Sequence, residues 1–153
     1  MSPKTFDPES MQAKLRMMRR LRQRLIEMGS VTRATIANDW DLQLIAERAL
    51  TQLIELAIAI NAHMVVVELG EAPYDYRESF NLAARAGVID QDLAGLLAPS
   101  VQFRNVVVHA YLDVDLDRFV TAIPMAIEQY GNYIDQVAVY LRKRDVQNKS
   151  GGR

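Results

Sequence analysis

The stretch RNVVVHAYLD, residues 104–113, sets Arg104, Asn105, His109 and Tyr111 around a run of valines. Arginine stays cationic at any relevant pH and can fork onto a phosphate, while histidine can move a proton near neutrality. Tyrosine can hold a phosphate, orient an imidazole or stack on a base. Together these types can cleave RNA without a metal. His109 can move a proton from the ribose 2′-hydroxyl or to the leaving 5′-oxygen, a transfer worth about 10²–10⁴ in rate. Arg104 can stabilise the charge that builds on the pentavalent phosphorus, with Asn105 donating or accepting beside it. The plain alternative is a core helix with a buried histidine, its arginine and tyrosine reaching out to solvent. Burying a cation or an imidazole costs free energy unless each finds a partner.

Spacing limits how such a site can be assembled. On an ideal helix Arg104 and Tyr111 lie about 20° apart, but His109 lies about 140° from Arg104. One straight helix therefore does not aim all three at one point. Convergence needs side-chain reach, a helix end, or a second copy of the motif across a dimer axis.

The elements that must position these residues read as helices throughout. Residues 8–28 carry Met11, Leu15, Met18, Leu25 and Met28 roughly in helical register, and Gly29-Ser30 stops them. The polar face of this helix holds Lys14, Arg16, Arg19, Arg20, Arg22 and Arg24. Its plain reading is a solvated face, and the alternative is contact with RNA. Asn38 or Asp39 can cap a second helix that runs to about Leu69 and ends at Gly70. Leu42, Ile45, Ala49, Leu53, Ala57, Ile60 and Met64 step along it by three and four, and Leu50, Ile54, Ile58 and Val65 widen the stripe. A helix apolar over so much of its circumference belongs at the centre of a bundle or in a subunit interface. Shorter helices are expected over 76–86 and from Asp90 to Leu97, with Pro99 perturbing the approach to the motif. A last helix should start near 115–117, with Pro124 a possible kink. The polar residues 145–153 read as a disordered tail after a single domain over 1–144.

Composition narrows the field further. The 153 residues include 50% hydrophobic and 24% charged side chains, a globular profile, and a formal net charge of −1 gives no global argument for nucleic acid. Cysteine is absent and there are two histidines, His63 and His109. That excludes thiol chemistry and a histidine-rich metal site within one chain, and it suits a cytoplasmic location. His63 has no arginine at a matching distance and reads as core-edge or exposed. Residues 54–69 are interrupted by Glu55, Asn61, His63 and Glu68, so no membrane span is expected. Asp39 and Asp41 follow a Gly-Ser pair much as in a nucleotidyltransferase, but the Gly-Ser here ends a basic amphipathic helix. Capping is the better reading of those aspartates.

Three blocks carry a resemblance. ERALTQLIELAIAINAHMV, then APYDYRESFNLAARAGVI, then FRNVVVHAYLDVD occur in this order. They resemble a HepT-type toxin of the HEPN superfamily over roughly 39–141, with R-N-x-x-V-H-x-Y the specific core and P-x-x-Y-R-E-x-F an independent second match. The resemblance implies an all-α, up-and-down helical bundle of the HEPN type. It would dimerise through the motif-bearing face so that two motifs line one cleft. It implies a metal-independent endoribonuclease without cofactor, with Arg104, Asn105 and His109 at the catalytic positions. It also implies a partner, a minimal nucleotidyltransferase antitoxin that uses ATP to place AMP on Tyr111. Relatives often carry an acidic residue where this chain has Ala59, so a supporting carboxylate would fall to Glu47 or Glu55. The competing reading is a non-catalytic member that binds nucleotide or a partner through the same cleft.

Overall fold

A computed structural model describes residues 5–108 and 115–151, with only the backbone of 105–108. Among the described residues there are seven α-helices and no strand. They are α1 (Pro8–Glu27), α2 (Arg33–Asn38), α3 (Trp40–Leu69), α4 (Tyr76–Arg85), α5 (Gln91–Leu97), α6 (Ser100–Val108) and α7 (Leu116–Gly151).

Short polar residues start most of them. Asp7, Asp39, Asp75 and Asp90 each accept a hydrogen bond from the backbone N–H three residues on, and Thr32 does so within a capping box with Thr35. Each such cap is worth about 1 kcal/mol. The small helix α2 lies in a stretch too short to show apolar periodicity, and its capping box is the signal that marks it. Asp39 closes α2 and opens α3, so the Asp39–Asp41 pair is explained by capping and first-turn charge. Gly70 ends α3 at φ 68°, in the left-handed region where a Cβ is unwelcome.

The 30-residue α3 is the centre of the bundle, and α1, α2, α4, α6 and α7 all pack on it. Its buried residues include Leu50, Leu53, Ile54, Ala57, Ile60 and Met64. These meet Leu15 and Met18 from α1, Phe80 from α4, and Tyr133 and Val137 from α7. By length and composition α3 could cross a membrane, but half of its most apolar window is buried inside the protein. Its hydropathy is that of a core helix.

Two sequence expectations are corrected. His63, read as core-edge or exposed, is not exposed. It is buried at 7% exposure, its Nε2 accepts a hydrogen bond from the Asp7 backbone N–H at 3.1 Å, and its ring faces Phe6 at 6.0 Å. Phe6 in turn lies under the Arg144 guanidinium, 4.4 Å away, and Arg144 pairs with Glu68. The chain ahead of α1 is thus clamped between α3 and α7. Of the disordered polar tail expected over 145–153, residues 145–151 instead continue α7 as helix, with Lys149 and Asp145 paired one turn apart at 3.1 Å.

One close approach joins α1 to α7. Arg22 is half-buried, and its Nε donates to the Ile127 carbonyl at 2.6 Å. A Cβ on Gly131 would come within 2.7 Å of that nitrogen, which accounts for a buried glycine inside a long helix. Gly131→Ala would gain about 1 kcal/mol of helix propensity but dislodge a charged hydrogen bond worth about 1.5–3 kcal/mol. The substitution alone should therefore lower stability by about 1 kcal/mol. In an Arg22→Ala background it should raise stability by up to about 1 kcal/mol. Urea midpoints of the four proteins test this, and a change of the same sign in both backgrounds would contradict the contact.

Candidate functional site

The motif helix α6 is held at its first residue. The Ser100 hydroxyl donates to the Leu97 carbonyl at 2.6 Å or shares its proton with Tyr130 Oη at 2.8 Å. Tyr130 is buried, and burial holds its phenol well above the ordinary ionisation range, with the Ser100 hydrogen bond a smaller opposing effect. It remains a neutral hydroxyl partner at any physiological pH. Pro99 lies in the two-residue break between α5 and α6, immediately before the motif helix. Phe103, three residues after Ser100, stacks against Phe119 of α7 with ring centroids 6.1 Å apart.

Arg104, one residue later, is directed towards α3 and α4. Its Nε lies 3.3 Å from Glu55 Oε1, and its guanidinium carbon lies 5.4 Å from the centre of the Tyr76 ring. Both members of the ion pair keep solvent contact, with side-chain exposures of 33% for Arg104 and 44% for Glu55. Exposed pairs of this kind contribute about 0.2–1 kcal/mol, so a phosphate could take the guanidinium from Glu55 at little cost.

Of the two carboxylates suggested by the sequence, the structure brings Glu55 to Arg104. Glu47 lies eight residues earlier on α3 and accepts from Gln43 Nε2 at 3.1 Å within its own helix. Ala59 is one turn beyond Glu55 and adds no charge. Asn105 lies in α6, but its side chain, like the whole of His109 and Tyr111, lies outside the described residues. Among the described residues no three His, Asp or Glu side chains converge as a metal site would require.

Tyr76 is the residue that reading the sequence missed. It is the tyrosine of the P-x-x-Y-R-E-x-F block, visible as part of a match but without an assigned role. It begins α4, half of its surface is exposed, and a buried polar chain sets its backbone. Ser79 Oγ donates to the Tyr76 carbonyl at 2.6 Å, and Asn61 Nδ2 donates to Ser79 Oγ at 3.3 Å. The Tyr133 hydroxyl lies 2.7 Å from Asn61 Oδ1 and 3.1 Å from the Ala57 carbonyl, its single proton shared between them. Asn61 and Ser79 are buried, so α3, α4 and α7 are locked together beneath Arg104.

Comparison with known proteins then assigns the chain. Residues 15–137 match the family model described as Ribonuclease HepT-like. This protein belongs to that family. The chain is 28% identical over 143 residues to the tRNA nuclease HepT of Aphanizomenon flos-aquae, spanning 94% of this chain and 97% of that one. It is 32% identical over 91 residues to the mRNA nuclease HepT of Shewanella oneidensis, spanning 60% and 65%. Among solved structures, it is similar to the tri-AMPylated Shewanella oneidensis HEPN toxin in complex with MNT antitoxin. The TM-score is 0.75 at 25% identity, covering 86% of this chain and 98% of that one. A toxin–antitoxin structure with AMP-PNP is similar at a TM-score of 0.73 and 25% identity, covering 84% and 98%. The all-α bundle expected for a HepT-like chain of the HEPN superfamily is therefore the observed fold.

Burial separates the two layers of the site energetically. Asn61→Ala would take one of two partners from each of the buried Tyr133 and Ser79 hydroxyls, leave a gap between α3, α4 and α7, and should cost about 1–3 kcal/mol. Glu55→Gln removes only a half-exposed ion pair and should cost less than about 1 kcal/mol. Urea unfolding of both variants checks the order, and a larger loss for Glu55→Gln would show that the ion pair holds the fold.

Proposed function

We propose that this HepT-like chain is the toxin of a toxin–antitoxin pair, a metal-independent endoribonuclease that works as a homodimer in the cytoplasm. The observation that carries the reading is Arg104. It is a half-exposed guanidinium at the head of the R-x4-H-x-Y motif, held among the described residues by a weak pair with Glu55 and by the Tyr76 ring, in a chain of the Ribonuclease HepT-like family.

In this reading the ribose 2′-oxygen attacks the adjacent phosphorus while His109 accepts its proton. The bond from phosphorus to the 5′-oxygen breaks, a protonated imidazole supplies the leaving oxygen with a proton, and the products end in 2′,3′-cyclic phosphate and 5′-hydroxyl. The His109 residues of two subunits can take the two proton-transfer roles, which meets the 140° problem that one helix leaves unsolved. Arg104 moves from Glu55 to the phosphate and offsets its growing negative charge, with Asn105 beside it. Glu55 is the supporting carboxylate, since it keeps the guanidinium oriented between turnovers. A nucleotidyltransferase antitoxin silences the site. The Tyr111 oxygen attacks the α-phosphorus of ATP, pyrophosphate leaves, and the bulky anionic AMP that remains competes for Arg104. The AMPylated toxin and the AMP-PNP complex among the structural relatives support this partner.

Purified protein whose intact mass shows no modification should cleave small RNA in EDTA and leave 2′,3′-cyclic phosphate ends. His109→Ala should lose about 10²-fold or more in rate while keeping its fold. Undiminished cleavage by His109→Ala would overturn the catalytic assignment. Incubation with the cognate nucleotidyltransferase and ATP should add AMP mass to the wild type and none to the Tyr111 position in Tyr111→Phe. Equal labelling of both proteins would place the modification elsewhere.

A further inference from the structure

Away from Arg104, a broad open groove of about 910 Å³ runs between α1 and the first half of α3. Its rim carries Arg19, Arg20 and Arg24 from α1 and Arg48 from α3, with Glu27 the single acid among its lining residues. Leu21, Leu44 and Ile45 form an apolar floor, and Leu44 is 44% exposed. Among the described residues none of these four guanidinium groups has an ion-pair partner, whereas Arg33, Arg85, Arg104, Arg118, Arg144 and Lys149 each have one. Although the net charge of the chain is −1, four uncompensated arginines thus line one groove.

We infer that this groove is a track for single-stranded RNA leading into the Arg104 site. The inference rests on the nuclease reading above and adds where the substrate lies outside the reacting phosphate. Charge is the first argument. Four exposed arginines match a polyanion with one charge per nucleotide, and an apolar floor suits the faces of unstacked bases. Continuity is the second. Arg48 and Glu55 are seven residues apart on α3, so they share one face within about 20° and are separated by about 10.5 Å along the axis. A strand that leaves the groove at Arg48 and follows α3 therefore meets Arg104 at Glu55. An acidic helix of a protein partner would satisfy the charge but not this continuity with the reacting end.

The test is binding of a 2′-O-methyl oligouridine of about twelve nucleotides, long enough to span groove and site. This RNA cannot be cut, because the 2′-oxygen is blocked, so binding is read independently of catalysis. Fluorescence anisotropy over a salt series would compare the wild type with the Arg19→Gln, Arg20→Gln, Arg24→Gln, Arg48→Gln variant. Thermal unfolding would confirm that these surface changes leave the fold intact. Loss of four phosphate contacts should weaken binding at least about tenfold and flatten the slope of log affinity against log salt by about 3. An unchanged affinity and slope overturns the inference. If that same variant then fails to bind the nucleotidyltransferase, the groove belongs to the protein partner. No binding by the wild type also overturns it. Failure of the nuclease reading looks different, because the wild type would bind with the steep slope and cut no RNA.

Discussion

A 30-residue helix that is apolar around most of its circumference cannot remain in water, and the arrangement of this chain follows from covering it. Each Leu or Ile that α3 buries contributes about 1.5–3 kcal/mol, so several such residues outweigh any single polar contact in the molecule. Among the described residues the rest is the 20-residue α1, four short helices and one long return helix laid around that rod. What escapes coverage is informative. Asp41, Leu44, Arg48 and Glu55 stay exposed and fall within about 60° of one another on α3. That strip joins the basic groove to the ion pair with Arg104. The candidate site and the proposed RNA track thus share the part of the central helix that the bundle does not close.

Around Arg104 the energetic hierarchy runs from rigid to labile. The scaffold is buried and fully hydrogen-bonded: Tyr133 to Asn61, Asn61 to Ser79, Ser79 to the Tyr76 carbonyl, and separately Tyr130 to Ser100 at the head of α6. Breaking a buried polar chain leaves unsatisfied groups in a low-dielectric interior, which is expensive. The Arg104–Glu55 pair above it is half-exposed and solvent-screened, so exchange of Glu55 for another anion is cheap. A guanidinium positioned by a stiff frame but loosely held at its charged end suits a group that must engage a passing phosphate. Tyr76 adds a flat, electron-rich surface that holds the cation in place without neutralising it.

Charge is arranged on the same principle. The acids and bases nearly cancel in total, yet they do not cancel locally. Arg33 on α2, Arg85 on α4 and Lys149 at the far end of α7 are each matched by a nearby carboxylate, while the four arginines facing the α1–α3 groove are not. Net charge therefore says little about this protein, and the potential over one groove says more.

Much of this was legible in the residues themselves. Apolar spacing and capping residues marked α1, α3, α4, α5 and the start of α7, because helix periodicity and Asp or Gly at the ends are local properties of the chain. The three ordered blocks were enough for the HepT-like assignment, and R-x4-H-x-Y named Arg104 as the residue to follow. What tertiary structure alone decided was which residues meet. Nothing in the spacing distinguished Glu55 from Glu47 as the carboxylate for Arg104, since the choice depends on how α6 crosses α3. Tyr76 is 28 residues before Arg104 and carries no local sign of contact with it. His63 looked peripheral because its partner is the backbone N–H of Asp7, 56 residues away and invisible to any helical pattern. Arg22 looked like one more solvated cation until α7 presented Gly131 and the Ile127 carbonyl beside it. The local elements follow from short-range sterics and burial pattern, which a sequence states directly. The site follows from long-range packing, in which side chains far apart in sequence share one desolvated volume.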